Sequence, residues 1–294
     1  MRQLKILTVF TCVMVVGLCG ESAFGQTKKI VDPKEVSGLA LWLKADTLTS
    51  QADGQEVTNW PDGSGQNHNA TLAAGKLAPV WVRNALNGQP ALRFKVRLDP
   101  LSGSALITTP IELAKTHAFF VVAREFGGTA EPLTAYFDNG VFLWYEPAAL
   151  EPKDQGPAFG LGNLSTLRDK GERVIRVRNY YKGGNLVDSR ESIDAKKTHL
   201  YCLVADEAGT KVWVDGKPIA FGRDMATAIP NRFAGANGPF RIGQHGAGDG
   251  RVGQYFNGEI AEIMVVNQAL SEEQRHDLEA YFATKYKLSI APNE

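Results

Sequence analysis

Residues 255–288, YFNGEIAEIMVVNQALSEEQRHDLEAYFATKYKL, constrain the fold more than any other stretch. Ile260, Ile263, Val265 and Val266 form a β-branched apolar run behind the turn signal Asn257-Gly258. The period then changes. Ser271 stands three residues before Gln274, the capping-box spacing, with Glu272 and Glu273 in the first turn. Leu278, Tyr281, Phe282 and Tyr286 follow at helical spacing and share one face. Lys285 and Lys287 sit near the end, where cations favour the helix dipole. A buried strand followed by one late amphipathic helix must dock on a sheet that the preceding chain supplies.

The rest of the chain is written mostly in strand signals. LALWL at 39–43, VTNW at 57–60, PALRF at 90–94, HAFFVVAR at 117–124, VFLWY at 141–145 and HLYCLVA at 199–205 are strand-like runs. Lys211, Val212, Trp213 and Val214 lead into Asp215-Gly216, a strong hairpin signal. Residues 173–181 alternate, with Arg176, Arg178 and Tyr180 on one face and Asn179 and Tyr181 on the other. No internal repeat or linker divides the 294 residues, and all-β sandwiches often reach about 200–250 residues as one unit.

Several of these segments together resemble the laminin-G-like domains of the concanavalin A-like lectin/glucanase superfamily. Gly258, Ile260, Ala261 and Glu262, then Asn267, Ala269, Leu270 and Ser271, follow its C-terminal pattern. GLALWLKAD at 38–46 is similar to its first strand, and Trp60, Asp62, Ser64, Gly65 and Ala70 to its W-x-D-x-S-G loop. NGQPALRF at 87–94, His199 with Gly209, Val214, Asp215 and Gly216, and FRIG at 240–243 complete the match. After Phe94 the family's usual D-G is replaced by Lys95-Val96-Arg97. The resemblance implies an all-β, two-sheet antiparallel β-sandwich (a concanavalin A-like jelly roll) with a C-terminal amphipathic helix, spanning residues 38–290.

Residues 1–25 read as a signal peptide. Arg2 and Lys5 precede an apolar run at 6–18 that is too short to span a bilayer, and Ala23 and Gly25 suit cleavage before Gln26. The competing reading makes Cys19 a lipidated residue, against which the bulky Leu18 before it argues. Residues 26–37 are a short lead-in. Removal of 1–25 takes away Cys12 and Cys19, so the exported chain keeps Cys202 alone and forms no intrachain disulfide. The 32 basic and 32 acidic residues balance, which gives no electrostatic footprint for nucleic acid.

Catalytic motifs are scarce. No G-x-S-x-G, HExxH, P-loop or Cys/His cluster occurs. Laminarinase-type hydrolases of the superfamily place carboxylates on one face of a strand in an E-x-D-x-x-E pattern. Here the nearest pair is Glu259 and Glu262, three apart, which on a regular strand face opposite ways. The expected activity is therefore non-catalytic binding of carbohydrate or another extracellular ligand. A structural or adhesive surface protein and a divergent glycoside hydrolase-like enzyme are the alternatives. Trp144, Tyr145, Tyr180 and Tyr181, with Asn179 beside them, are the candidate sugar contacts; sandwich core is the other reading of these rings. The polar run DGSGQNHNA at 62–70 has two readings. Asp62, Ser64, Asn67 and Asn69 could ligate calcium, or they could cap their own backbone as Asx turns.

Overall fold

The computed structural model describes residues 30–98, 101–126, 141–145, 158–162, 173–178, 186–221, 237–244 and 255–292. The signal segment 1–25, the turn at 138–140 and the loops 147–157 and 245–253 lie outside the described residues.

The described residues form two eight-stranded antiparallel sheets, which makes the molecule a β-sandwich. The late strand Gly258–Val266 lies within the first sheet, and all nine of its residues are buried. One side of it pairs with His117–Glu125. Its other side is shared, with Leu39–Lys44 along residues 262–266 and Gln89–Phe94 along 258–260. His199–Asp206, Gly209–Val214 and Lys217–Pro218 extend the sheet beyond 117–125, and Val80–Leu86 closes the other edge. The second sheet runs, in spatial order, Leu186–Ile193, Arg173–Arg178, Ala158–Gly162, Val141–Tyr145, Phe240–Ile242, Leu106–Ile107, Ala70–Leu72 and Asn59–Trp60.

Alternation explains the two apolar layers. Along 258–266, Ile260, Ile263 and Val265 join the core between the sheets, with Phe94, Phe119, Phe142, Tyr201 and Phe240. Ala261, Met264 and Val266 face the other way, into a second cluster under the helix Glu272–Tyr286. There Leu278, Phe282 and Tyr286 are buried, and Phe282 stacks on Phe120 with centroids 5.6 Å apart. Ser271 and Gln274 form the expected capping box, and Lys287 ends the helix in the left-handed region at φ 52°. Tyr281 is only half-buried and leans edge-on against Trp42.

Two glycines of the sequence motifs are required by space. A Cβ on Gly258 would collide with the Arg124 carbonyl and the Phe256 ring. Gly243 ends the FRIG segment at φ 79°, and a Cβ there would strike Phe94. The substitution of Lys95-Val96-Arg97 for the expected turn gives a short extra hairpin, Val96–Leu98 with Leu101–Gly103.

Candidate functional site

The two carboxylates that sequence spacing sets on opposite faces in fact share one. Val122 pairs with Glu262, but Ala123 pairs with Ile260, so Ala261 is the extra residue of a β-bulge. The bulge resets the alternation, and both Glu259 and Glu262 turn to the outer, helix-bearing face of the first sheet. They do not form a hydrolytic pair there. Each is fully buried and occupied. Glu262 accepts from Trp42 Nε1 at 2.5 Å, Tyr281 OH at 3.0 Å, Tyr286 OH at 2.8 Å and Lys285 Nζ at 2.6 Å. Lys285 also reaches Asp46 at 2.8 Å. Burial first, then the Glu262 charge and hydrogen bond, raises the Tyr281 and Tyr286 hydroxyls above their ordinary range. They stay protonated donors. Glu259 is gripped by two guanidiniums, Arg93 on Oε1 and Arg124 on Oε2.

The helix packs on the first sheet's outer face, and the second sheet carries no helix among the described residues. Cross-strand pairing lays two alternate rows across that sheet. Leu106, Ile242, Leu143, Phe159 and Val177 form a row that points inward, and they belong to the core, as does Trp60. The neighbouring row runs Asn59, Thr71, Ile107, Arg241, Trp144. Asn59 and Thr71 are exposed, Ile107 and Arg241 half-buried, and Trp144 is covered to 2 % exposure. The row is polar at one end and aromatic at the other. Arg241 was missed in the sequence; its only signal was a charged residue between the apolar Phe240 and Ile242 of the FRIG segment.

The candidate rings therefore divide. Tyr145 is a core residue, fully buried, donating its hydroxyl to the Ile111 carbonyl at 2.7 Å; it is not a sugar platform. Trp144 stands on the outer row, yet its ring is closed off rather than open. Asn179, Tyr180 and Tyr181 lie outside the described residues.

The polar loop at 62–70 joins the two edge strands Asn59–Trp60 and Ala70–Leu72. Asp62 organises it. Its Oδ1 accepts from the backbone N–H groups of Trp42 and Ser64, both at 2.9 Å. Its Oδ2 accepts from Ser64 Oγ at 2.6 Å and His68 N at 2.9 Å. Asn69 Oδ1 takes the Asp62 N–H at 2.8 Å, and Ser64 Oγ also reaches the Ala40 carbonyl. Asn67 sits exposed at φ 63°. The Asp62 oxygens thus already hold four donors, the pattern of an Asx-turn loop that fastens the second sheet's edge to Leu39–Lys44. No group of three or more His, Cys, Asp or Glu suited to a metal occurs among the described residues.

His199 and Asp215, the matching residues of the hairpin motif, are in contact. His199 Nδ1 meets Asp215 Oδ2 at 2.6 Å, and Nε2 meets the Asp194 carbonyl at 3.0 Å. Asp215 Oδ1 takes the Leu200 N–H at 2.8 Å. These contacts lock the Asp-Gly turn. His117 is buried on the Ala114 carbonyl, as a structural histidine.

Residues 141–274 match the family model of the concanavalin A-like lectin/glucanases superfamily. The fold is a concanavalin A-like jelly roll. Solved structures of the same fold include domain 4 of an extracellular arabinanase from Geobacillus stearothermophilus, in complex with arabinotriose. That match has a TM-score of 0.54 at 15 % identity, over 82 % of this chain and 98 % of that one. An arabinofuranosidase complexed with arabinofuranosyl-alpha-1,2-xylobiose matches at TM-score 0.56 and 15 % identity, over 87 % of this chain and 61 % of that one. A botulinum neurotoxin type C structure, whose cell entry depends on two ganglioside molecules, matches at 0.50 and 11 %, over 84 % and 51 %. The jelly roll thus spans about half to three fifths of the latter two chains. No curated protein matches its sequence.

Proposed function

We propose that this chain is an exported, non-catalytic module that binds carbohydrate on the outer face of its second sheet. One observation carries the reading. The helix covers the first sheet's outer face around Ala261, Met264 and Val266, while the second sheet's outer face presents the row Asn59, Thr71, Ile107, Arg241. Amide, hydroxyl and guanidinium donors beside apolar surface are the chemistry that recognises sugar hydroxyls. The carboxylates best spaced for hydrolysis are both committed to cations. The fold's neighbours bound to arabinotriose and arabinofuranosyl-xylobiose support carbohydrate as the ligand class and set the first probes.

A shallow, solvated row offers few buried anchors, so dissociation constants from micromolar to millimolar are expected, about −8 to −4 kcal/mol. The test is a panel of arabino-, xylo- and other oligosaccharides, in calcium and again in chelator, read by calorimetry. Binding should weaken at least tenfold in Arg241→Ala and severalfold in Thr71→Ala, with melting temperatures unchanged. Loss of binding in chelator, restored by calcium and abolished by Asp62→Ala, would revive the calcium reading of the 62–70 loop. Silence across the whole panel would transfer the assignment to a structural or adhesive surface protein. Release of reducing sugar from any substrate would overturn the non-catalytic assignment.

A further inference from the structure

The outer face of the first sheet holds a second feature, beside the helix and outside its apolar cluster. Cross-strand pairing sets Arg93, Glu259 and Arg124 side by side on three adjacent strands. Glu259 is fully buried between them. Arg93 donates Nε and Nη2 to Oε1 at 3.0 and 2.6 Å. Arg124 donates Nε and Nη2 to Oε2 at 3.0 and 2.7 Å. Both guanidiniums then lie over Phe126, with their central carbons 5.4 and 5.6 Å from the ring centroid. Phe126 is 40 % exposed, one of two large apolar side chains left in solvent among the described residues.

Charge counting makes this cluster unusual. One guanidinium neutralises one buried carboxylate, and here there are two. Around Glu262 the arrangement differs, with Lys285 shared between Glu262 and Asp46. Neither Arg93 nor Arg124 meets a second carboxylate among the described residues. Among the described residues, the nearest acid along the row is Glu56, reached through Val80, about 10 Å beyond Arg93 at two strand spacings. Each arginine retains its Nη1 edge, and the side chains are 37 % and 31 % exposed. The buried Glu259 fixes both planes in advance, which lowers the ordering entropy lost on binding. Two oriented forks carrying one surplus positive charge suit a carboxylate or sulfate. The adjacent ring offers a flat apolar surface of the kind a sugar's C–H face packs against.

We infer that the Arg93–Arg124–Phe126 patch binds the anionic group of an acidic polysaccharide, a uronate carboxylate or a sulfate ester. The inference rests on the carbohydrate reading above, and gives it a substrate class and a second surface. The test titrates the full chain with trigalacturonate, a sulfated galactotriose, neutral galactotriose and tetraglutamate. At least one acidic sugar should bind tenfold or more tighter than the neutral one, and weaken as salt rises. Which of the two binds better identifies carboxylate or sulfate as the group. Arg93→Gln keeps an amide donor on Glu259 while Arg124 still neutralises it, and should erase the tenfold preference. Phe126→Ala, at an exposed position, should weaken acidic-sugar binding severalfold even if Arg93→Gln fails to fold. Equal affinity for acidic and neutral sugars, or acidic-sugar binding untouched by Phe126→Ala, would overturn the inference. Tetraglutamate binding as tightly as trigalacturonate would overturn the sugar and leave an acidic peptide as ligand. The two readings fail separately: neutral-sugar binding lost in Arg241→Ala reports only on the second sheet.

Discussion

Glu262 shows how a single side chain can settle a structural question. Its carboxylate collects four donors from two parts of the chain: Trp42 of the first strand, and Tyr281, Lys285 and Tyr286 of the terminal helix. A buried charge so completely hydrogen-bonded is tolerated, whereas removing it strands its partners. Glu262→Ala should destabilise the fold by about 3–5 kcal/mol in chemical denaturation, because an ammonium, two hydroxyls and an indole N–H lose their acceptor together. Glu262→Gln retains an acceptor for Trp42 and leaves Lys285 its Asp46 contact, so about 1–2 kcal/mol is expected. Equal, small losses for both variants would show that the network contributes little to stability.

At the scale of elements, the bulge at Ala261 and the terminal helix act together. A regular strand would send Glu259 and Glu262 to opposite faces, and one of them into the apolar core between the sheets. The extra residue keeps both on the helix side, where cations meet them. The helix is then anchored by apolar contact as well as by charge. Phe282 is fully buried and stacked on Phe120, within the same layer as Leu278 and Tyr286. Phe282→Ala should cost about 3–5 kcal/mol through lost contacts and the cavity left behind. A loss below about 1 kcal/mol, measured by urea unfolding, would mean that the helix docks only peripherally. Arg275 adds a polar tie: it pairs with the buried Glu279 at 2.6 Å and lies over Trp213 at 4.2 Å.

For the whole molecule, two histidines should shape stability against pH, with opposite signs. Burial pushes His117 down to about 4 from the ordinary 6.5, against the weaker pull of the Ala114 carbonyl. Its unfolded form binds the proton more readily. Its contribution is therefore whole above pH 6.5 and disappears as pH falls toward 4, a change of about 3 kcal/mol. Burial acts downward on His199 too, but the Asp215 hydrogen bond and charge outweigh it and raise the value above 6.5. That contribution is complete below 6.5 and is lost as pH rises through the raised value. Stability from these two groups should peak near pH 6.5. Denaturation across pH 4.5–8.5 should show both slopes, with the alkaline fall abolished in His199→Gln. A profile that rises steadily through neutrality in the parent chain would contradict the assigned His199–Asp215 pairing. Cohesion between the sheets comes from the apolar core and from the buried Arg173–Glu125 ion pair that crosses it, and Cys202 is a free, buried thiol.

The sequence by itself determined the strand-rich class, the capped helix and the burial of the strand at 258–266. Those properties follow from local periodicity and capping chemistry, which act over a few residues. It also marked Asp215-Gly216 as a turn and Asp62 as a loop residue, since their hydrogen bonds reach mainly across a hairpin or within a loop. Tertiary structure alone decided the rest. The Ala261 bulge is a register shift against His117–Glu125, and no property of residues 258–266 announces it. Tyr145 and Trp144 are neighbours in one strand, yet one fills the core and the other stands on the outer row; periodicity marks opposite faces without saying which is inside. Arg93 and Arg124 meet Glu259 across separations of 166 and 135 residues. Pairings over that distance are set by strand order, which depends on how two sheets and one helix bury their apolar faces at once.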